Sequence, residues 1–95
     1  MKIKNKIRNL QYMFYKCKNL KNIEELKYLN VKYCTNFSGM FDYCESLNDI
    51  KPLEKWNVSN GINFSCMFDY CKPLNDIKPL EKWNLKENIF KGMFN

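Results

Sequence analysis

Five cysteines, Cys17, Cys34, Cys44, Cys66 and Cys71, are the side chains of this 95-residue sequence best suited to chemistry. They could bind a metal, form disulfides or act as nucleophiles. Zinc normally takes Cys and His ligands in pairs roughly two to four residues apart. There is no histidine, and although Cys66 and Cys71 have four residues between them, no second pair answers them. An odd count fits a closed disulfide framework poorly. Cys17, Cys44 and Cys71 stand 27 residues apart at one position of a repeat, so the three thiols cannot all pair with one another. One bridge between neighbours remains possible if their Cα atoms lie within ~4.4–6.8 Å. The expectation is free cysteines filling small buried sites, with no metal and no cofactor.

Catalysis has equally little to build on. Without histidine there is no imidazole base. Asp49 and Asp76, and Glu54 and Glu81, recur because the sequence around them recurs. The glycines Gly39, Gly61 and Gly92 are isolated and form no phosphate-binding loop. Asn36-Phe37-Ser38, Asn57-Val58-Ser59 and Asn63-Phe64-Ser65 match glycosylation acceptors, but turn and cap chemistry explains them better. The chain is expected to be no enzyme and to take no small-molecule substrate.

Charge offers a different kind of site. The net charge is +6. Residues 1–36 hold nine basic and two acidic side chains, whereas residues 37–95 hold seven and eight. The excess therefore sits at one end. Lys2, Lys4, Lys6 and Arg8, with Lys16–Lys21 behind them, are candidate anion-binding residues for nucleic acid or an anionic membrane. The opening residues have the charge of a signal peptide but lack the ~7–15-residue apolar run that follows one. No stretch approaches the roughly 20 apolar residues of a membrane span.

What positions any such surface is the repeat. Met13-Phe14, Met40-Phe41, Met67-Phe68 and Met93-Phe94 follow one another at steps of 27, 27 and 26 residues. Residues 37–57 and 64–84 are identical at 18 of 21 positions. Residues 10–36 keep mainly the apolar positions, which marks those as the skeleton: Leu20, Leu47 and Leu74; Ile23, Ile50 and Ile77; Leu29, Trp56 and Trp83. Phe37, Met40, Phe41 and Cys44 stand at the spacing of one helix face, with Asn36 and Asn63 placed as N-caps. The following "LNDIKPLEKWN" is read as extended, with a short strand near residues 47–50 and irregular chain around Pro52. Units of this kind cannot bury their own apolar faces, so copies must stack. The division is a basic N-terminal arm over 1–9 and one repeat domain over 10–95, with units 10–36, 37–63, 64–89 and a truncated fourth, 90–95. An apolar edge is expected at Ile89, Phe90, Met93 and Phe94, favouring self-association.

The elements "WNVSNGINFSCMFDYC" and "MFDYCESLNDI" resemble the BspA-like leucine-rich-repeat surface proteins, a mycoplasma-type repeat domain of unknown function. The resemblance covers about residues 10–94. It implies a leucine-rich-repeat-like solenoid used for adhesion or protein binding, often at cell surfaces. The expected fold is therefore an α/β repeat solenoid of about three 27-residue coils, each with one short strand and one short helix; the alternative is a small α-solenoid. The expected function is a non-catalytic scaffold for protein–protein interaction or surface structure, alone or as a piece of a longer array. Nucleic-acid or membrane binding through the basic end is the alternative. On the helix reading, Asp42, Tyr43, Asp69 and Tyr70 point away from the packed face and form the candidate protein-binding surface. Free cysteines suggest a reducing, cytoplasmic setting and the resemblance a cell surface, so the sequence assigns no compartment.

Overall fold

A computed structural model describes residues 6–94. Its organising feature is a division of backbone amides. The amides of Leu10, Tyr12, Phe14 and Lys16 reach across to the carbonyls of Asn36, Ser38, Met40 and Asp42 at 2.8–3.0 Å. Those of Phe37, Gly39, Phe41 and Tyr43 do the same to Asn63, Ser65, Met67 and Asp69 at 2.7–2.9 Å. Amides between them turn back on their own layer. Met40 donates to Phe37, Asp42 to Gly39 and Cys44 to Phe41, at 3.0–3.3 Å. The copies therefore lie one on another as layers, and nearly every amide in this half of the repeat has a partner, as a buried backbone requires.

This division excludes the helix expected over residues 37–44. An α-helix sends each amide to the carbonyl four residues back, whereas here the local bonds close three-residue steps and the others leave the layer. Turns 37–40 and 41–44 carry positive φ at their third residue, Gly39 (61°) and Tyr43 (62°), as a type II turn demands. Tyr12, Lys16, Cys66 and Tyr70 hold the equivalent places at φ 55–59°. Asn36 and Asn63 do accept backbone amides, those of Ser38 (2.9 Å) and Ser65 (3.0 Å), but as turn-forming side chains and not as helix caps.

The strand near residues 47–50 is absent too. Asp49 accepts the Lys51 amide at 2.9 Å, and Asn22 and Asp76 accept those of Glu24 and Lys78 at 2.9 and 3.1 Å. Each bends the chain into a 3₁₀ helix: Glu24–Tyr28, Lys51–Leu53 and Lys78–Trp83. Pro52 and Pro79 sit in the first turn of theirs, where a missing amide hydrogen is tolerated. The β-type pairings among the described residues are two isolated parallel bridges, Asn9 with Asn36 and Asn36 with Asn63.

The expected leucine-rich-repeat-like solenoid, with a strand and a helix in each coil, is therefore not the fold. Among the described residues there is no strand and no sheet. The small α-solenoid fails as well, since α-helix among the described residues is confined to α1, Glu87–Lys91. The chain is compact, with a radius of gyration of 12.8 Å, close to the ~13 Å of a folded domain of about this length.

Side chains at equivalent positions stack between layers and make the core. Phe14, Phe41, Phe68 and Phe94 form one file, with successive ring centroids 5.5, 5.4 and 5.6 Å apart. Phe37 lies 5.1 Å from Phe64, and Trp56 6.2 Å from Trp83. Polar atoms in these files are satisfied across layers. The Trp56 and Trp83 indoles donate to the Leu26 and Leu53 carbonyls at 2.8 and 2.9 Å. The Cys44 and Cys71 thiols donate to those of Phe14 and Phe41, both at 3.1 Å. Position in the stack decides burial. Met40 and Met67 are 0% exposed, whereas Met13 in the first layer is 56% exposed. The apolar edge expected near the C-terminus is largely closed: Met93 is buried, Phe94 stacks on Phe68, and Ile89 and Phe90 pack half-buried against the core.

Candidate interaction surface

The left-handed corner of each turn decides what faces solvent. Tyr43 and Tyr70 occupy such corners, and the 2.9 Å bond from the Tyr43 amide to the Asp69 carbonyl sets one layer on the next. Their rings consequently stack at 4.3 Å with planes 13° apart. Lys16 holds the same corner in the first layer, its Nζ 5.2 Å from the Tyr15 ring centre and 5.8 Å from that of Tyr43. Tyr15 meets Tyr43 edge-on at 6.3 Å and Tyr12 at 5.4 Å. The result is one aromatic row across three layers, with Lys16 set into it. Tyr12, Tyr15 and Tyr70 are exposed and Tyr43 half-buried. Desolvation, and then the Tyr70 phenol beside it, push the Tyr43 phenol upward, so Tyr43 stays neutral at neutral pH.

The structure brings together all four residues expected to form a protein-binding surface, but not as an outward-facing set. Asp69 is buried, Asp42 is half-buried, and each keeps an Oδ1 atom that is buried without a hydrogen-bond partner. Recognition at this edge therefore falls to tyrosine. Burial first, then the charge of Asp69, push the Asp42 carboxyl up, with Lys16 opposing. An acid whose pKa is raised by folding stabilises the fold when protonated, and that contribution is lost as pH rises through its folded value. Asp42→Asn is expected to raise the melting temperature at pH 7, by about 4–8 °C for each kcal/mol relieved. It should also flatten the decline in stability on the acid side of neutrality, as pH rises through the carboxyl's folded value. Thermal melts across that range check it; an unchanged pH slope would count against this role of Asp42.

Sequence reasoning missed Tyr12, Tyr15 and Lys16, because the first repeat has diverged. Their signal was the 27-residue step itself, which sets Lys16 at the position of Tyr43 and Tyr70. The cysteines take separate roles. Cys34, Cys44 and Cys71 are buried, Cys66 is half-buried and Cys17 is exposed; all are free. Exposure of Cys17 departs from the expectation that all three equivalent thiols fill buried sites. It lies in the first layer, where no described layer covers it. Burial pushes Cys44 up to about 12 and Cys71 to about 11, so both stay thiols and pack as small hydrophobes. A hydrogen bond to Asp69, more than burial, pushes Cys66 up. Among the described residues no group of three or more His, Cys, Asp or Glu could hold a metal.

Of the candidate anion-binding residues, Lys2 and Lys4 lie outside the described residues. Lys6 is 4.6 Å from the Tyr33 ring centre, and Lys32 5.8 Å from the same ring. Arg8 is exposed, and its carbonyl accepts the Thr35 amide at 3.0 Å. Among the described residues no helix is long and apolar enough to cross a membrane.

Searches of curated proteins and of solved structures returned no significant match. A family model described as "Mycoplasma protein of unknown function, DUF285" matches residues 3–95. The layered Met-Phe repeat thus has a family: the chain belongs to DUF285, whose function is unknown.

Proposed function

We propose that the chain is a non-catalytic repeat scaffold that binds a partner protein through its tyrosine edge. The observation that carries this reading is the stack of Tyr43 on Tyr70, continued by Tyr15 and Lys16. Tyrosine offers large contact area at low entropic cost, and here the rings are held in place before any partner arrives. The resemblance to BspA-like surface proteins, which implies adhesion or protein binding, points the same way. Nucleic-acid or membrane binding through Lys6 and Arg8 is the second reading; the Lys6 and Lys32 cations flanking Tyr33 favour it.

Affinity capture from a lysate of the source cell separates the two. The pair Tyr43→Ser and Tyr70→Ser is expected to lower recovery of specific bound proteins by about tenfold or more, the loss typical of an interface anchor. Recovery through the tyrosine edge should survive high salt. Binding that collapses steeply with salt and is lost on deleting residues 1–9 belongs to the basic end. Unchanged recovery with the tyrosine pair removed sinks the proposal. Sedimentation of the purified chain reports self-association in the same samples.

A further inference from the structure

One pair of neighbouring residues is reactive by its own chemistry. Of the fourteen asparagines in the chain, Asn60 alone is followed by glycine. Asparagine is thermolabile because the next residue's backbone nitrogen can close on its side chain. A glycine there has no Cβ to block the approach. The other asparagines with a following residue precede Leu, Ile, Val, Phe, Lys or Asp, whose side chains hinder it.

Two packing demands put this pair on the flank of the stack. Residues 58–61 form a turn closed by the Gly61 amide, which donates to the Val58 carbonyl at 2.8 Å. Asn60 Nδ2 donates to the Lys32 carbonyl at 2.7 Å. That bond ties the turn to its counterpart one repeat earlier, where the Cys34 amide donates to the Val31 carbonyl at 2.9 Å. A β-carbon on residue 61 would run into the ring of Phe64, which is buried in the core. Asparagine is thus held for its bond between layers and glycine for the close approach of a ring. The earlier turn carries Tyr33-Cys34 at the same places, a pair that cannot cyclise in this way.

The same two bonds restrain the reaction. Ring closure requires the Gly61 nitrogen to give up its proton and the Asn60 Cγ to swing onto it. Here the proton is engaged by Val58 and the side-chain amide is pinned on Lys32. Asn60 is exposed, so water reaches it. Reaction therefore waits for the turn to open, and the free energy of that local opening sets its rate.

We propose that Asn60 is a modification site, where the chain converts its own asparagine to aspartate and isoaspartate whenever the turn at 58–61 opens. The Gly61 nitrogen loses its proton and bonds to Asn60 Cγ. The Cγ–Nδ2 bond breaks and ammonia leaves. Water then opens the five-membered succinimide at either of its carbonyls, and no oxidant or reductant takes part. Neither product has the Nδ2 donor. Aspartate sets a carboxylate against the Lys32 carbonyl, and isoaspartate adds a methylene to the main chain of the turn. The tie between the two turns is lost and cannot re-form, so the flank where these layers meet loosens in one direction only. The inference rests on the fold and is independent of what the chain binds.

The test incubates the full chain at mildly alkaline pH, folded and in urea, and follows each asparagine by peptide mapping with mass spectrometry. Aspartate and isoaspartate should accumulate at residue 60 before any other position, at least about tenfold more slowly in the folded chain than in urea. Asn60→Gln keeps an amide but must close a larger ring, and should abolish the reaction at this residue. Asn60→Asp reproduces one product; it should melt below the parent, and its Gly61 amide should exchange hydrogen faster. Because Asn60 is exposed, both variants should fold. Reaction first at another asparagine overturns the site. Equal rates in the folded chain and in urea overturn the restraint by the turn. An Asn60→Asp chain that melts with the parent and protects Gly61 equally overturns the loosening.

Discussion

Replacing Phe41 by alanine is expected to destabilise the chain by about 3–5 kcal/mol, the range for deleting a fully buried phenylalanine. Phe41 is 0% exposed and has a ring stacked on each face, Phe14 at 5.5 Å and Phe68 at 5.4 Å. The alanine would leave a cavity between two layers that backbone hydrogen bonds hold at a fixed separation, so the walls cannot close onto it. Stacked pairs add roughly 0.5–1.5 kcal/mol beyond the area they bury, and Phe41 belongs to two. A small domain has only ~5–15 kcal/mol in total, so this variant should sit near its unfolding midpoint without denaturant. Phe14→Ala is the control. Phe14 is half-buried and stacks on one neighbour, so its loss should cost about half as much. Urea melts of the two variants decide the matter. Equal costs would mean that the phenylalanine file is not the core.

That contrast shows what the sequence could and could not reveal. Phe37, Met40, Phe41 and Cys44 were legible as buried, because what survives in the diverged first repeat is the set of side chains each layer must present to the next. Their local conformation was not. A run of turns whose alternate amides leave the layer sets side chains at much the same spacing as a helix face, so apolar period alone cannot separate the two. The feature that separates them is left-handed backbone, and only Gly39 advertises it; the other such corners are Tyr12, Lys16, Tyr43, Cys66 and Tyr70, types that rarely adopt it. The extended reading of residues 47–50 failed for a related reason. Asp49 was read as a copied surface residue, yet its carboxylate bends the chain into the 3₁₀ helix at Pro52. The tyrosine edge was half legible. Two copies of Asp-Tyr pointed to it, but the turn corner sends the tyrosine outward and draws the carboxylate in, and neither follows from a helical face.

The left-handed corners set up the second large effect. Gly39 and Cys66 stand at equivalent positions with φ of 61° and 59°, so the same backbone is met by the one residue without a Cβ and by one that has it. Valine is branched at Cβ and least able to accept that conformation. A β-carbon at residue 39 would also run into the Tyr12 ring, although Tyr12 is 47% exposed and can swing aside. The main cost of Gly39→Val is therefore the strained backbone, about 2–3 kcal/mol, with Gly39→Ala at about half that. Cys66→Gly runs in the opposite sense. It relieves the strain at the corner but gives up the thiol's bond to Asp69 and frees the unfolded chain. The net should lie between no change and a gain of about 1 kcal/mol. Urea melts of the three variants test the pair together. If Gly39→Val were tolerated while Cys66→Gly lost stability, side-chain packing rather than the left-handed turn would govern the position, and the alternation of amides between layers would not be what excludes the helix.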